Sequence, residues 1–264
     1  MTDEFEGRVA LVTGGSSGIG FAAARKFLRA GARVAICARK PDRLEAAFED
    51  LSGERPGRVW RYVADMSDAE SASGLVKNVM RDLHYVDCLI NNAGEVSVGD
   101  VETVADDVLR RQLDTKLFGY WRLMRAVVPG MKERKAGSIV NVVGGAGKEP
   151  DPRAFGSSIT NAALLALSKT ASLQWAGDGI RVNAVCPGFI RTDLWTRNAD
   201  QFRKDFSGVN NDEMMKNAAR SNAMNRFGTP DEVADAIYFL SSASASYLSG
   251  VTINVDGNRL RSLW

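Results

Sequence analysis

Straight after an apolar, β-branched run, the chain reads Thr13-Gly14-Gly15-Ser16-Ser17-Gly18-Ile19-Gly20, and a helical stretch follows. Glycines at this spacing let a backbone turn tightly and approach a pyrophosphate. The phosphate charge then sits at the helix N-terminus, where free N–H groups point outward. Set between a strand and a helix, the turn predicts dinucleotide binding. The second strand ends in Cys37-Ala38-Arg39-Lys40. An acid at its tip would accept hydrogen bonds from the ribose 2′-hydroxyl of NAD, but Ala38 stands there and two cations follow. A guanidinium clasps a 2′-phosphate and stacks on adenine, so Arg39 and Lys40 favour NADP(H); the alternative is a solvated basic turn. Lys116 is the third candidate. Leu113, Tyr120 and Leu123 share its helical face, which places an ammonium on a largely apolar stripe. Burial strips hydration from an ammonium and lowers its pKa, which suits an acid or an electrostatic clamp. The other reading packs the stem on apolar surface and sends the head to water.

The elements that must position these residues alternate along the whole chain. Strands are expected at Val9–Thr13, Arg33–Cys37, Val59–Val63, Cys88–Asn91, Ser138–Val143, Arg181–Val185 and Val251–Val255. Amphipathic helices are expected near 21–30, 42–51, 68–82, 105–133, 159–176 and 230–242. Continuous apolar strands separated by helices indicate a parallel sheet covered on both faces. No linker or repeat divides the chain, so a single α/β domain is expected. One insertion, at about 191–227, carries Trp195, Phe202, Phe206, Met214, Met215 and Met224. At the C-terminal end of a strand it suits a substrate lid, or else an ordinary surface subdomain.

Composition narrows the partners. A net charge of +2, with acids and bases interspersed, removes the main argument for nucleic acid or an anionic membrane. No apolar run reaches the length of a transmembrane helix, and the acidic N-terminus does not read as a secretory signal, so the cytoplasm is the expected compartment. Cys37, Cys88 and Cys186 lie in or beside strands and read as small buried hydrophobes. With His84 the only histidine, neither a metal site nor a histidine-based triad is expected.

TGGSSGIG, VADMSD, INNAG, GIRVNAVCPGFIRT and INVDG, in this order and spread over residues 6 to 257, resemble the short-chain dehydrogenase/reductase family. The resemblance implies a single-domain, doubly wound Rossmann-type fold of about seven parallel strands. It implies a nucleotide held by Gly14, Ser16, Ser17, Gly18, Ile19 and Gly20, with Asp65 and Met66 near adenine. Asn92, Ala93 and Gly94 would lie beside the adenosine ribose. Pro187, Gly188, Ile190 and Thr192 would flank the nicotinamide and pyrophosphate. Asn91 is expected to brace the sheet instead of touching cofactor. The resemblance also implies a homo-oligomer, a dimer or tetramer, packed through the helices near 105–133 and 159–176.

The family's chemistry rests on a tyrosine, a lysine four residues later, a serine and an asparagine. Alignment on this resemblance puts Ser157 at the tyrosine, Asn161 at the lysine, Gly144 (or Gly145) at the serine and Lys116 at the asparagine. All four depart from the pattern. The five tyrosines are Tyr62, Tyr85, Tyr120, Tyr238 and Tyr247, so sliding the alignment restores nothing. An aliphatic hydroxyl has a pKa far above the phenol's value of roughly 10, and Ser157 alone cannot shuttle a proton near neutrality. Asn161 could hydrogen-bond the nicotinamide ribose, without a charge. The catalytic candidates are therefore Lys116, Ser157 and Asn161. Lys148, Glu149, Asp151 and Arg153 are candidate contacts for a charged substrate, or simply loop polarity. Phe189 and Trp195 are candidates for the substrate side, with a core role equally open for Phe189. The expectation is an atypical NADP(H)-dependent oxidoreductase acting on a small carbonyl, imine or enone; the alternatives are an NADP-binding pseudoenzyme or sensor, and a non-redox enzyme on the same scaffold.

Overall fold

A computed structural model describes residues 4–96, 98–193 and 211–262. The elements run β1 (Val9–Thr13), α1 (Gly18–Arg29), β2 (Arg33–Ala38), α2 (Pro41–Glu54), β3 (Val59–Val63), α3 (Ala69–Leu83) and β4 (Cys88–Asn91). Then come α4 (Asp106–Gln112), a π-helical segment (Leu113–Phe118), α5 (Gly119–Glu133), β5 (Gly137–Val142), α6 (Phe155–Trp175) and β6 (Ile180–Pro187). After these come α7 (Asn211–Arg220), α8 (Pro230–Ser241) and β7 (Thr252–Val255). Among the described residues, no helix is long and apolar enough to cross a membrane.

The strands form one seven-stranded sheet in the order β3-β2-β1-β4-β5-β6-β7, parallel throughout. Successive side chains on a strand point to opposite faces, so β1 serves two cores at once. Ala10 and Val12, with Val34 and Ile36 of β2, pack under α1, α2 and α8. Val9 and Leu11, with Ala35 and Cys37, pack under α3, α5 and α6. Burial on both faces is why these strands read as unbroken apolar runs. The strand order reverses between β1 and β4, and the crevice at the carboxyl edge there is where an open α/β sheet binds ligands.

Among the boundaries that differ from the sequence reading, three have a clear tertiary reason. The helix expected over 105–133 is interrupted at Leu113–Phe118 by wider π-helical turns, which re-aim the side chains beside the crevice. Helix α6 starts at Phe155, not near 159. Its polar first turn, which reads as loop, is held by Ser158: the hydroxyl accepts from Asp151 N at 3.1 Å and donates to Ala154 O at 3.0 Å. Strand β6 continues to Pro187 because β7 pairs with it as far as Val255. Of the expected lid, Trp195, Phe202, Phe206 and the Met214 side chain lie outside what is described.

Candidate active site

The site begins where β1 ends. Thr13 is fully buried, and its hydroxyl accepts from Asn92 N at 2.9 Å and Ala93 N at 3.0 Å. The Asn92 Nδ2 donates back to Thr13 O at 3.0 Å. The loops leaving β1 and β4 are thereby sewn together over the point where the strand order reverses. Gly14 has φ +66°, a left-handed conformation that suits glycine. Gly20 is demanded by contact: a Cβ there would lie 2.3 Å from Gly14 O and 2.5 Å from Asn92 Nδ2. Helix α1 begins at Gly18 with no side-chain cap from Ser17 and no acid in its first turn. Its first N–H groups are left for an anion.

Around this turn lies a cleft of about 350 Å³. Gly14, Ser16, Ser17, Gly18 and Ile19 line its phosphate end, and Arg39, Lys40 and Met66 its outer end. Asn92, Ala93 and Gly94 form the β4 side, and Pro187, Gly188 and Thr192 the β6 side. Four expected cofactor residues are absent from this lining. Gly20 supports the turn from behind. Ile190 is buried and bridges to Gly228. Asn161 holds Lys116, as described below. Asp65 accepts from both the N–H and the hydroxyl of Ser67, at 2.9 and 2.7 Å. Burial alone would raise its pKa, but those bonds and the charges of Arg39 and Arg111 outweigh it and hold the carboxyl below its ordinary value.

Arg43 and Glu95 line the same cleft and were missed in the sequence. Arg43 lies in the first turn of α2 and adds a third cation beside Arg39 and Lys40. Its signal was three basic residues within five positions of a strand end. Glu95 directly follows Asn-Asn-Ala-Gly and pairs with Arg39 across the cleft. Nothing local announces that pairing.

At the other end of the cleft stands Lys116. Its stem lies against Gly94, where a Cβ would meet the lysine Cδ at 2.9 Å. Its Nζ donates to Asn161 Oδ1 at 2.8 Å. Burial pushes the lysine pKa down from 10.5 to about 8, opposed by Cys186. The structure places the half-buried Lys116 in the lining of the cleft. Asn161 is itself 4% exposed. Gly144 lines the cleft, and a Cβ there would come within 2.7 Å of Asn161 Nδ2. Ser157 is buried outside the cleft lining, and its Oγ accepts from Gln112 Nε2 at 3.0 Å.

The remaining candidates have structural partners. Lys148 Nζ donates to Asn254 Oδ1 at 2.9 Å, and Glu149 accepts from the backbone of Arg261 and Ser262, both at 2.5 Å. Asp151 pairs with Arg153 at 3.1 Å. These groups anchor the C-terminal segment and the α6 entry. Phe189 packs against Phe227, with Arg259 over its ring, and Trp195 lies outside the described residues. Asn91 braces the sheet, donating to Asn141 Oδ1 at 2.9 Å. Burial raises the Cys37 and Cys88 thiols to about 12 and Cys186 to about 11, so all three are neutral near pH 7.

Comparison with known proteins agrees with this geometry. A family model described as enoyl-(acyl carrier protein) reductase matches residues 14–257. The oxidoreductase UcpA of Escherichia coli is 33% identical over 254 residues, covering 95% of this chain and 94% of that one. The L-sorbose reductase of Gluconobacter frateurii, solved with NADPH and L-sorbose, superposes with a TM-score of 0.93 at 33% identity over the full length of both chains. A short chain oxidoreductase from Pseudomonas aeruginosa, solved with NADPH and containing an atypical catalytic center, superposes with a TM-score of 0.88. It is 32% identical, with 98% of this chain and 99% of that one covered.

Proposed function

The chain belongs to the short-chain dehydrogenase/reductase family, and from that premise we propose that it is an atypical NADP(H)-dependent oxidoreductase acting on a small-molecule carbonyl, imine or enone. Its own surfaces fit the dinucleotide. A Cβ at Gly14 or Gly20 would strike Asn92 and the neighbouring backbone, so glycine there keeps the turn tight enough for a pyrophosphate to approach its N–H groups. Arg39, Lys40 and Arg43 gather at the adenosine end, where the small Ala38 replaces the acid that would select a free 2′-hydroxyl. The solved neighbours from Gluconobacter and Pseudomonas carry NADPH.

Bound NADPH would supply the hydride. The α1 N-terminus would hold the pyrophosphate, the basic cluster of Arg39, Lys40 and Arg43 the 2′-phosphate, and Pro187, Gly188 and Lys116 the nicotinamide end. Lys116 then supplies the proton, or the positive charge, that a developing oxyanion requires. The observation that carries this reading is the Lys116 amine held by Asn161 at 2.8 Å beside the cleft. Ser157, tied to Gln112, is assigned no proton transfer. The same reading takes the protein to be a homo-oligomer joined through the outer faces of α5 and α6, where Trp121 and Ile159 are exposed.

The decisive experiment mixes the protein with NADPH and a panel of aldehydes, ketones, imines and enones, following the reduced nicotinamide band. Consumption with at least one substrate class is expected. Tight NADPH binding with no consumption across the panel would favour the pseudoenzyme, which the sequestered Ser157 hydroxyl also suits. NADPH is expected to bind in preference to NADH. Replacing Arg39 and Arg43 together by alanine should weaken NADPH roughly ten- to a hundredfold, the worth of one charge-assisted contact, with little change for NADH. Fluorescence titration measures both. The rate should be flat below pH 8 and fall above it, because the Lys116 amine is charged only below its pKa of about 8. A pH–rate profile with no break between 7 and 9 would contradict Lys116 as the acid.

A further inference from the structure

Three departures from the family pattern meet in space. The family's asparagine and lysine have exchanged helices: the cation now rises from the π-helical segment, and the amide from α6. Lys116 and Asn161 are 45 residues apart and bonded at 2.8 Å. A lysine amine has only donors to offer, so Asn161 must turn its Oδ1 to Lys116 and its Nδ2 away. That Nδ2 donates no hydrogen bond among the described residues. Nor is it one of the sealed, unpartnered polar atoms of the interior. It points at Gly144, where a Cβ would stand 2.7 Å from it, and Gly144 lines the cleft. The amide N–H therefore stands where the family's serine side chain would stand. Glycine at 144 is what leaves it room and an opening.

We infer that Asn161 Nδ2 is a catalytic donor which, with the Lys116 ammonium, forms a two-donor cationic seat for the oxygen of a carbonyl or enone, and that this seat rejects iminium substrates. The inference rests on the reading of Lys116 above and narrows its substrate class. Lys116 and Gly144 both line the cleft, and Asn161 spans them, with its Oδ1 on the lysine and its Nδ2 at the glycine. One donor carries a positive charge, so an oxygen seated there has its developing negative charge stabilised. A cationic iminium would face like charge across the same few ångströms. In carbonyl reduction, the carbon accepts the hydride that the dinucleotide supplies, and the π pair moves onto oxygen. The oxygen takes one proton from Lys116, and bulk water recharges the amine. In an enone the hydride goes to the β-carbon, the π electrons move onto the same oxygen, and that oxygen takes the proton from Lys116 to give an enol, which tautomerises in water to the saturated carbonyl.

The test compares two flat probes of one size and opposite charge, benzoate and benzamidine, titrated by calorimetry into the NADPH-loaded protein at pH 7. Benzoate is expected to bind at least tenfold more tightly, with that preference lost in Lys116→Met. Asn161→Ala should weaken benzoate about tenfold while leaving NADPH affinity unchanged. Adding Gly144→Ser to that variant should recover most of the loss, because a hydroxyl then occupies the vacated place. The inference is overturned if the loaded protein takes up no benzoate, or if benzamidine binds equally well. It is also overturned if Asn161→Ala has no effect, or if the added serine gives no rescue, which would make the asparagine structural only. Those results leave the oxidoreductase reading standing; failure to take up NADPH at all removes both.

Discussion

Replacing Lys116 with methionine is expected to lower turnover roughly a hundredfold or more, the scale of a lost general acid, while NADPH affinity stays within about threefold. The same variant is expected to be more stable. Burial holds the lysine pKa near 8 instead of 10.5, so the unfolded chain binds the proton more tightly than the folded one. The charged amine therefore works against folding, by an upper bound of roughly 3 kcal/mol. Methionine removes that penalty but leaves Asn161 Oδ1 without its donor, at a cost of about 1–3 kcal/mol. A net gain of about 1 kcal/mol at pH 7 corresponds to roughly 2–4 °C in a chain of this size. The sign has a pH signature. The penalty is fully present below about 8 and fades as pH rises towards 10.5, where the unfolded lysine also loses its proton. The stability difference between the two proteins should shrink across that window in thermal melts. A variant that turns over normally removes Lys116 from catalysis; a stability difference that stays constant from pH 8 to 10.5 shows that the lysine amine carries no desolvation penalty.

The second large effect is expected at the nucleotide turn. Gly20→Ala would place a methyl 2.3 Å from Gly14 O and 2.5 Å from Asn92 Nδ2. Both neighbours are themselves held, the asparagine by its bond to Thr13 O, so the turn must shift as a unit. Overpacking of this kind costs about 1–3 kcal/mol. The displaced N–H groups are those proposed above to face the pyrophosphate. NADPH affinity should fall at least tenfold, read by fluorescence titration, together with a lowered melting temperature. Gly74→Ala is the matched control. Nothing lies within 4 Å of a Cβ there, and it sits inside α3. That change should leave NADPH binding intact and add about 0.5–1 kcal/mol from the reduced freedom of the unfolded chain. Equal NADPH affinity in Gly20→Ala would mean that the turn does not cradle the dinucleotide.

The cleft contains competition for its basic cluster. Arg39 is paired with Glu95, which also lies 3.8 Å from Arg111. On the proposed binding mode a 2′-phosphate takes Arg39 from that carboxylate and Arg43 from Asp193, 4.0 Å away. Such exposed pairs contribute little to stability. Here the consequence is for binding: each charge engaged by phosphate makes affinity fall with added salt.

What the sequence determined by itself was whatever depends on neighbours along the chain. Val9–Thr13 is apolar at every position, and such strands alternate with helices, so the parallel sheet was legible. The glycine turn, the missing acid at Ala38 and the absence of any tyrosine near residue 157 were legible too, because each is a statement about residue types at fixed spacing. Tertiary structure decided everything that depends on a meeting between distant segments. Lys116 could be placed on an apolar face by its periodicity, but whether its amine reached water or the cleft was left open. The π-helical turns at Leu113–Phe118, the bare face of Gly94 and the carbonyl of Asn161 place the half-buried side chain in the cleft lining. That Gln112, on another helix, donates to the Ser157 hydroxyl was likewise invisible in the sequence. Periodicity reports which face a side chain occupies; only the packed fold reports which polar atom, forty-odd residues away, is waiting on that face.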